Sequence, residues 1–171
     1  MEFRQSRRTR PAATKAQDHC SRVFAFAPLA GIAIGAVLSW TTPDAAISPP
    51  GLIALIGLAA LSCGGTLRLW CFRTLGDYFT FELMTSSDQP VIASGPYRLV
   101  RHPSYAGIAL ASIGVVTLMS NWLSLGVVAM TVMLSLTAGI EVEEEVLRRE
   151  LGDAYRAYAA TTPYRLVPFV W

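Results

Sequence analysis

Two arginines, a histidine and two tyrosines fall within Gly95-Pro96-Tyr97-Arg98-Leu99-Val100-Arg101-His102-Pro103-Ser104-Tyr105-Ala106-Gly107, together with two prolines and two glycines. Guanidinium groups hold carboxylates or phosphates, imidazole holds or moves a proton, and phenols donate hydrogen bonds. Gly95-Pro96 reads as a turn, and Pro103 keeps His102 extended while suiting the first turn of a helix. The strip therefore runs into a helix N-terminus, whose free N–H groups and positive dipole end favour an anion. A complementary set lies downstream, where Ile140 gives way to Glu141, Glu143, Glu144 and Glu145 with only Val142 among them.

Apolar helices must position these groups. The chain of 171 residues is 53% hydrophobic and only 15% charged, against roughly 25% charged for a soluble domain, so it reads as an all-α integral membrane protein. Apolar stretches at 23–40, 51–72, 104–120 and 122–140 approach the ~20 residues that cross a ~30 Å hydrocarbon layer, the third marginally. Residues 1–22 are basic and polar, and read as a disordered or headgroup-bound tail ahead of a single membrane domain, 23–171, that ends in a polar segment, 141–171. Tail and first span read as a retained helix with its flank, not as a cleaved signal.

Lys and Arg precede the first span, recur between the second and third as Arg73, Arg98 and Arg101, and follow the fourth as Arg148, Arg149, Arg156 and Arg165. The other two connections, at 41–50 and around Asn121, have none. Both termini and the central loop are therefore expected in the cytoplasm. Topology already explains the arginines, so the net charge of +2 gives no argument for nucleic acid. Cys20, Cys63 and Cys71 have no metal-ligand or redox spacing, and no metal is expected.

Gly31 and Gly35 suit close helix packing. Arg68 and Arg73 can snorkel at the end of the second span, and Gly76 reads as its C-cap. The polar, aromatic segment 78–94 is expected to cover something on the cytoplasmic face. The third and fourth spans form an antiparallel hairpin, and the fourth continues through Val146, Leu147, Leu151, Tyr155 and Tyr158 as an amphipathic cytoplasmic helix. That hairpin brings Arg98, Arg101 and His102 opposite the glutamates; Tyr155 and Tyr158 read as packing or an interface belt. Such a site suits a zwitterionic, partly aromatic ligand beside a lipid-accessible groove, with S-adenosylmethionine and nucleotides both admissible on composition.

From Arg68 onward the chain resembles the isoprenylcysteine carboxyl methyltransferase family, and more distantly the phospholipid N-methyltransferases. The resemblance runs through Arg68-Leu69-Trp70, Thr74-Leu75-Gly76, Gly95-Pro96-Tyr97-Arg98, Arg101-His102-Pro103-Ser104-Tyr105-Ala106-Gly107, Glu143-Glu144-Glu145-Val146-Leu147, Leu151-Gly152, Tyr155, Tyr158 and Arg165-Leu166-Val167-Pro168. It implies about four transmembrane helices, with a cytoplasmic loop and C-terminal amphipathic helix forming an S-adenosylmethionine site. It places Tyr97, His102, Tyr105, Glu143 and Glu144 on cofactor positions, and Arg101, Glu144 and Arg165 on catalytic ones. Relatives often carry an arginine shortly before the paired glutamates, where this chain has Ala138-Gly139.

The implied activity is methyl transfer to a lipophilic acceptor that enters from the bilayer between helices, most simply the carboxylate of a prenylcysteine or prenyl-like molecule. A carboxylate is already a nucleophile and needs positioning; an amine must lose a proton, for which Glu143 or Glu144 would be the base. A phospholipid amine acceptor is the nearest alternative. Others are an NADPH-binding, sterol-reductase-like protein and a non-enzymatic membrane protein whose Arg-His-Glu cluster is structural.

Overall fold

Prolines, glycines and one asparagine set the helix limits. The computed structural model describes residues 12–76 and 90–171, with side chains from Phe26 onward, and its main elements are α1 (Ala12–Thr41), α2 (Pro50–Leu75), α3 (Pro103–Thr117) and α4 (Trp122–Thr161). Pro50 and Pro103 open α2 and α3, where a missing N–H costs nothing. Gly76 closes α2 at φ 53°, as its C-cap position predicts. Asn121 caps α4, its Oδ1 accepting from Ser124 N at 3.0 Å. Among the described residues there is no strand, only an isolated bridge between Ala46 and Asn121.

Two helices, α2 and α4, are long and apolar enough to cross a membrane, while the apolar part of α1 (Phe26–Thr41) and α3 are shorter. Within the stretch read as a disordered or headgroup-bound tail, the chain is helical from Ala12 onward; Ala12, Ala13, Lys15, Ala16 and Gln17 are all strong helix formers. The segment expected to cover the cytoplasmic face, 78–94, lies mostly outside the described residues. In α4 the expected span, 122–140, continues without interruption into the glutamate segment. Continuity fails at Gly152, where φ 51° and ψ −122° break the helix. The last turns thus leave the original axis, a bend the helical spacing of Leu151 and Tyr155 does not announce.

The helices pair differently from a simple hairpin. α3 packs most extensively on α2, and α4 on α1, while α3 and α4 touch less. The α2–α3 seam is backbone against backbone: a Cβ on Gly64 would lie 2.6 Å from Gly107 O, one on Gly57 2.9 Å from Gly114 O, and one on Gly114 would strike Leu61 N. Where lipid surrounds the helices, such close approach supplies the van der Waals contact that association needs. Gly31 and Gly35 do the same for α1, against Thr131 and against Val128 and Ser124. Val116, Val128, Val132 and Leu136 form the core between α3 and α4, with Ile32 of α1 against it.

At the end away from the strip, buried Asn121 ties both outer connections together. Its Nδ2 donates to Thr42 O at 2.8 Å, Ile47 N donates to Ser120 O at 2.6 Å, and Ser39 Oγ donates to Met119 O at 3.1 Å.

Candidate active site

The break at Gly152 turns the end of α4 back onto the strip. Tyr158 Oη donates to Tyr97 O at 2.7 Å, and Arg101 Nη1 donates to Thr162 O at 3.2 Å. The chain then runs alongside the strip, with Arg101 N donating to Tyr164 O and His102 N to Arg165 O, both at 2.9 Å. Three segments distant in sequence therefore meet at the first turn of α3.

Glu144 stands at their junction, 1% exposed. Its Oε1 accepts from Arg101 Nε at 2.9 Å, Arg165 Nε at 3.2 Å and His102 Nε2 at 3.3 Å. Its Oε2 accepts from Arg148 Nη2 at 2.7 Å and Arg165 Nη2 at 2.9 Å. The contact from His102 requires the proton on Nε2, since a carboxylate only accepts. Burial pushes the Glu144 pKa up, but hydrogen bonds from His102 and Arg165 and the charge of Arg101 more than reverse it, holding the carboxyl well below its usual range. Arg165 in turn is more firmly protonated through its bond to Glu144. With both oxygens engaged and its affinity for protons suppressed, Glu144 is unsuited to act as a base and has no lone pair turned to a ligand. Its geometry is that of a fastening between three segments of the chain.

Glu143 is the freer carboxylate, with a quarter of its side chain exposed and His102 Nδ1 at 3.7 Å. The Tyr105 phenol is close enough to interact electrostatically with it, and the Tyr105 ring meets that of His102 edge-on at 5.7 Å between centroids. Tyr97 lies alongside, its phenol near the Cys71 thiol at the end of α2. Gly95 admits this approach: at φ 57° it sits so close to α2 that a Cβ would lie 2.9 Å from Thr74 Oγ1. Burial raises the Tyr97 and Tyr155 pKa values above the usual 10 and pushes Tyr158 up to about 12. All three phenols stay protonated at neutral pH and can donate.

The structure thus brings Tyr97, Arg101, His102, Tyr105, Glu143, Glu144 and Arg165 into one cluster. Arg98, expected in the same group, is exposed at the end of a 3-10 turn over Gly95–Arg98. Glu141 and Glu145 share the outward face one turn apart, with Glu145 bonded to Arg149 at 2.7 Å. Sequence reasoning missed Arg148, although its i,i+4 spacing from Glu144 is a recognisable signature. It read Tyr155 and Tyr158 as packing or interface-belt residues. Both are buried at the cluster; Tyr158 makes the hydrogen bond to Tyr97, and Tyr155 Oη is buried with no partner among the described residues. Gly107 and Ser112, which face the interior, lie in or beside packed helix seams and are buried. No group of three or more His, Cys, Asp or Glu among the described residues is arranged to hold a metal.

The chain that carries this geometry matches a known family by sequence. The sequence model of the isoprenylcysteine carboxyl methyltransferase (ICMT) family matches residues 55–149, and the chain belongs to that family. Protein-S-isoprenylcysteine O-methyltransferase B of Arabidopsis thaliana is 31% identical over 71% of this chain and 64% of its own length. The Xenopus laevis protein-S-isoprenylcysteine O-methyltransferase is 32% identical over 69% of this chain and 41% of its own. A solved eukaryotic intramembrane Ras methyltransferase ICMT superposes with a TM-score of 0.70 at 24% identity, over 87% of this chain and 53% of that one. The fold is therefore that of an integral membrane protein, and this chain spans under two thirds of the length of each of these relatives.

Proposed function

We propose that this chain is an S-adenosylmethionine-dependent methyltransferase that esterifies the carboxylate of a lipophilic acceptor, a prenylcysteine or prenyl-like acid, taken from the bilayer. The observation that carries the reading is the charge balance of the cluster. Three guanidinium groups converge on one buried carboxylate, which leaves excess positive charge, and beside it a partly exposed Glu143 lies near Tyr105. S-adenosylmethionine carries a carboxylate suited to the first region and cationic groups suited to the second, so the residues fit it.

S-adenosylmethionine supplies an electrophilic methyl group on sulfonium. Glu143, Tyr105, His102 and Tyr97 bind the donor, and Arg101 and Arg165 orient carboxylates with the N–H groups not given to Glu144. Glu144 holds both arginines in place. An ionised carboxylate needs alignment and no base, which agrees with a site whose most buried carboxylate is fully engaged. An amine acceptor would need a proton acceptor, a task that the fully engaged Glu144 leaves to Glu143. The polar end faces the cytoplasm, on the strength of the arginine distribution, and residues 23–171 act as one unit around it.

The test is calorimetric binding of S-adenosylhomocysteine to detergent-purified protein, with NADPH as comparison and His102→Ala as control. Saturable binding of the first ligand alone, lost in the variant, followed by methyl transfer to a prenylcysteine, is the expected result. A folded protein that binds NADPH, or neither ligand, overturns the reading.

A further inference from the structure

Beyond Arg165 the chain turns its apolar side chains outward. Leu166 is buried, but Val167, Phe169 and Val170 are exposed, Phe169 to 86%. The segment is nevertheless a built hook. Leu166 N and Val167 N both donate to Trp171 O, at 2.9 and 3.1 Å, and Val170 N and Trp171 N donate to Val167 O, each at 3.2 Å. The Tyr164 and Phe169 rings meet at 5.2 Å, and the Arg165 guanidinium lies over the Trp171 ring at 5.3 Å. Phe169 itself has φ 66°, a conformation that a bulky L-residue keeps only where its surroundings impose it. Backbone strain is thus spent on holding an aromatic ring out of the protein.

The position of the hook says what it meets. Pairing of Tyr164 and Arg165 with Arg101 and His102 sets its base against the residue that opens α3, the level at which an apolar helix leaves the hydrocarbon. Leu99 in the strip is likewise exposed, beside exposed Arg98, and the same end of α2 presents Leu69 and Trp70 outward. An apolar rim with an arginine that can snorkel is the composition that seats at a headgroup boundary. The hook therefore continues the lipid-facing surface of the bundle.

We propose that Val167, Phe169 and Val170 dock into the headgroup–acyl boundary of the leaflet beside the candidate site, so that the bilayer itself holds the segment carrying Arg165. The partner is a lipid surface. The proposal stands on the membrane fold and is independent of which reaction the site performs.

The test places Phe169→Trp in phospholipid nanodiscs whose acyl chains carry bromine close to the headgroups. Signal from the native Trp40, Trp70, Trp122 and Trp171 is removed by subtracting the unaltered protein. Glu150→Trp, on an exposed position of α4, is the water-facing reference, and Val170→Trp is a second reporter. The expected result is blue-shifted emission at 169 and 170, quenched by brominated lipid at least twofold more than at 150. Emission and quenching equal to those at 150 overturn the proposal. So does a blue shift without lipid quenching in a protein that sediments as a dimer, which would assign the hook to a second copy of the chain.

Discussion

Arg165 grips Glu144 through two bonds, Nε to Oε1 at 3.2 Å and Nη2 to Oε2 at 2.9 Å, across 21 positions of sequence. Fork-to-fork contacts of this kind add geometric specificity to their energy. Here the contact fixes where the segment after α4 lies relative to the strip, and Arg101, His102 and Arg148 complete the fastening from two other directions.

Glu144→Gln removes a charge on which three arginines converge. Breaking a buried ion pair from one side typically costs about 3–5 kcal/mol, so thermal unfolding in detergent should fall sharply. Glu143→Gln, at the more exposed position, should change the melting temperature by far less while weakening S-adenosylhomocysteine about tenfold or more, the equivalent of about 1.4 kcal/mol. Equal melting temperatures for the two variants would refute the division of labour between the glutamates.

Acid should act through the same residue. The Glu144 pKa is depressed in the folded state from its ordinary 4.5, so its contribution is fully present above that value and is lost as pH falls through the lower, folded pKa. Stability should therefore stay level from neutral pH to about 5 and decline below 4.5, with a shallower decline in Glu144→Gln. A melting curve series from pH 7 to pH 3 measures both slopes; parallel slopes would remove Glu144 from the account.

Neighbouring glycines of α2 should respond in opposite ways. Gly64→Ala places a methyl 2.5 Å from Ala111 N and 2.6 Å from Gly107 O, and overpacking of this kind costs about 1–3 kcal/mol. Gly65 has nothing within 4 Å of its would-be Cβ, so Gly65→Ala should be neutral or stabilising by up to about 1 kcal/mol. Differential scanning fluorimetry on both variants would decide, and comparable losses would contradict the α2–α3 seam.

Two tyrosines one helical turn apart give another contrast. Tyr158→Phe deletes a 2.7 Å bond to Tyr97 O and should cost about 0.5–1.5 kcal/mol, whereas Tyr155→Phe removes a buried hydroxyl with no partner among the described residues and should be neutral or stabilising. Denaturant midpoints of the two proteins provide the comparison; a larger loss for Tyr155→Phe would mean that its hydroxyl is satisfied by a bound water or an internal partner.

Much of this architecture is legible in the residues, for identifiable reasons. Pro50, Gly76, Pro103 and Asn121 mark helix limits by chemistry that acts locally, and the short α3–α4 connection forces the strip and the glutamates to one end. What stayed hidden depends on distant contacts. Gly57, Gly64, Gly107 and Gly114 face another backbone, whereas Gly65 and Gly126 face open space, and nothing in their flanking residues separates the two groups. The bend at Gly152 is equally silent, because an isolated glycine within a helical pattern is tolerated at a cost of only about 1 kcal/mol. Without that bend the return of Tyr158 to Tyr97 has no signature, and Glu144 looks like a free carboxylate when it is a fully paired one.

The pairing of strip and returning segment also bears on biosynthesis. Arg101 and its partner Thr162 lie 61 residues apart, an interval the ribosome covers in about 3–12 s at 5–20 residues per second. During that time α3 and the apolar half of α4 can enter the bilayer while Arg101 and His102 lack the carboxylate and carbonyls that later receive them. A nascent chain released just after Thr161 would be inserted and helical, yet without Arg165 its cluster would remain open. Closure of the cluster therefore waits on Arg165, which is made after both of the helices it helps to fasten.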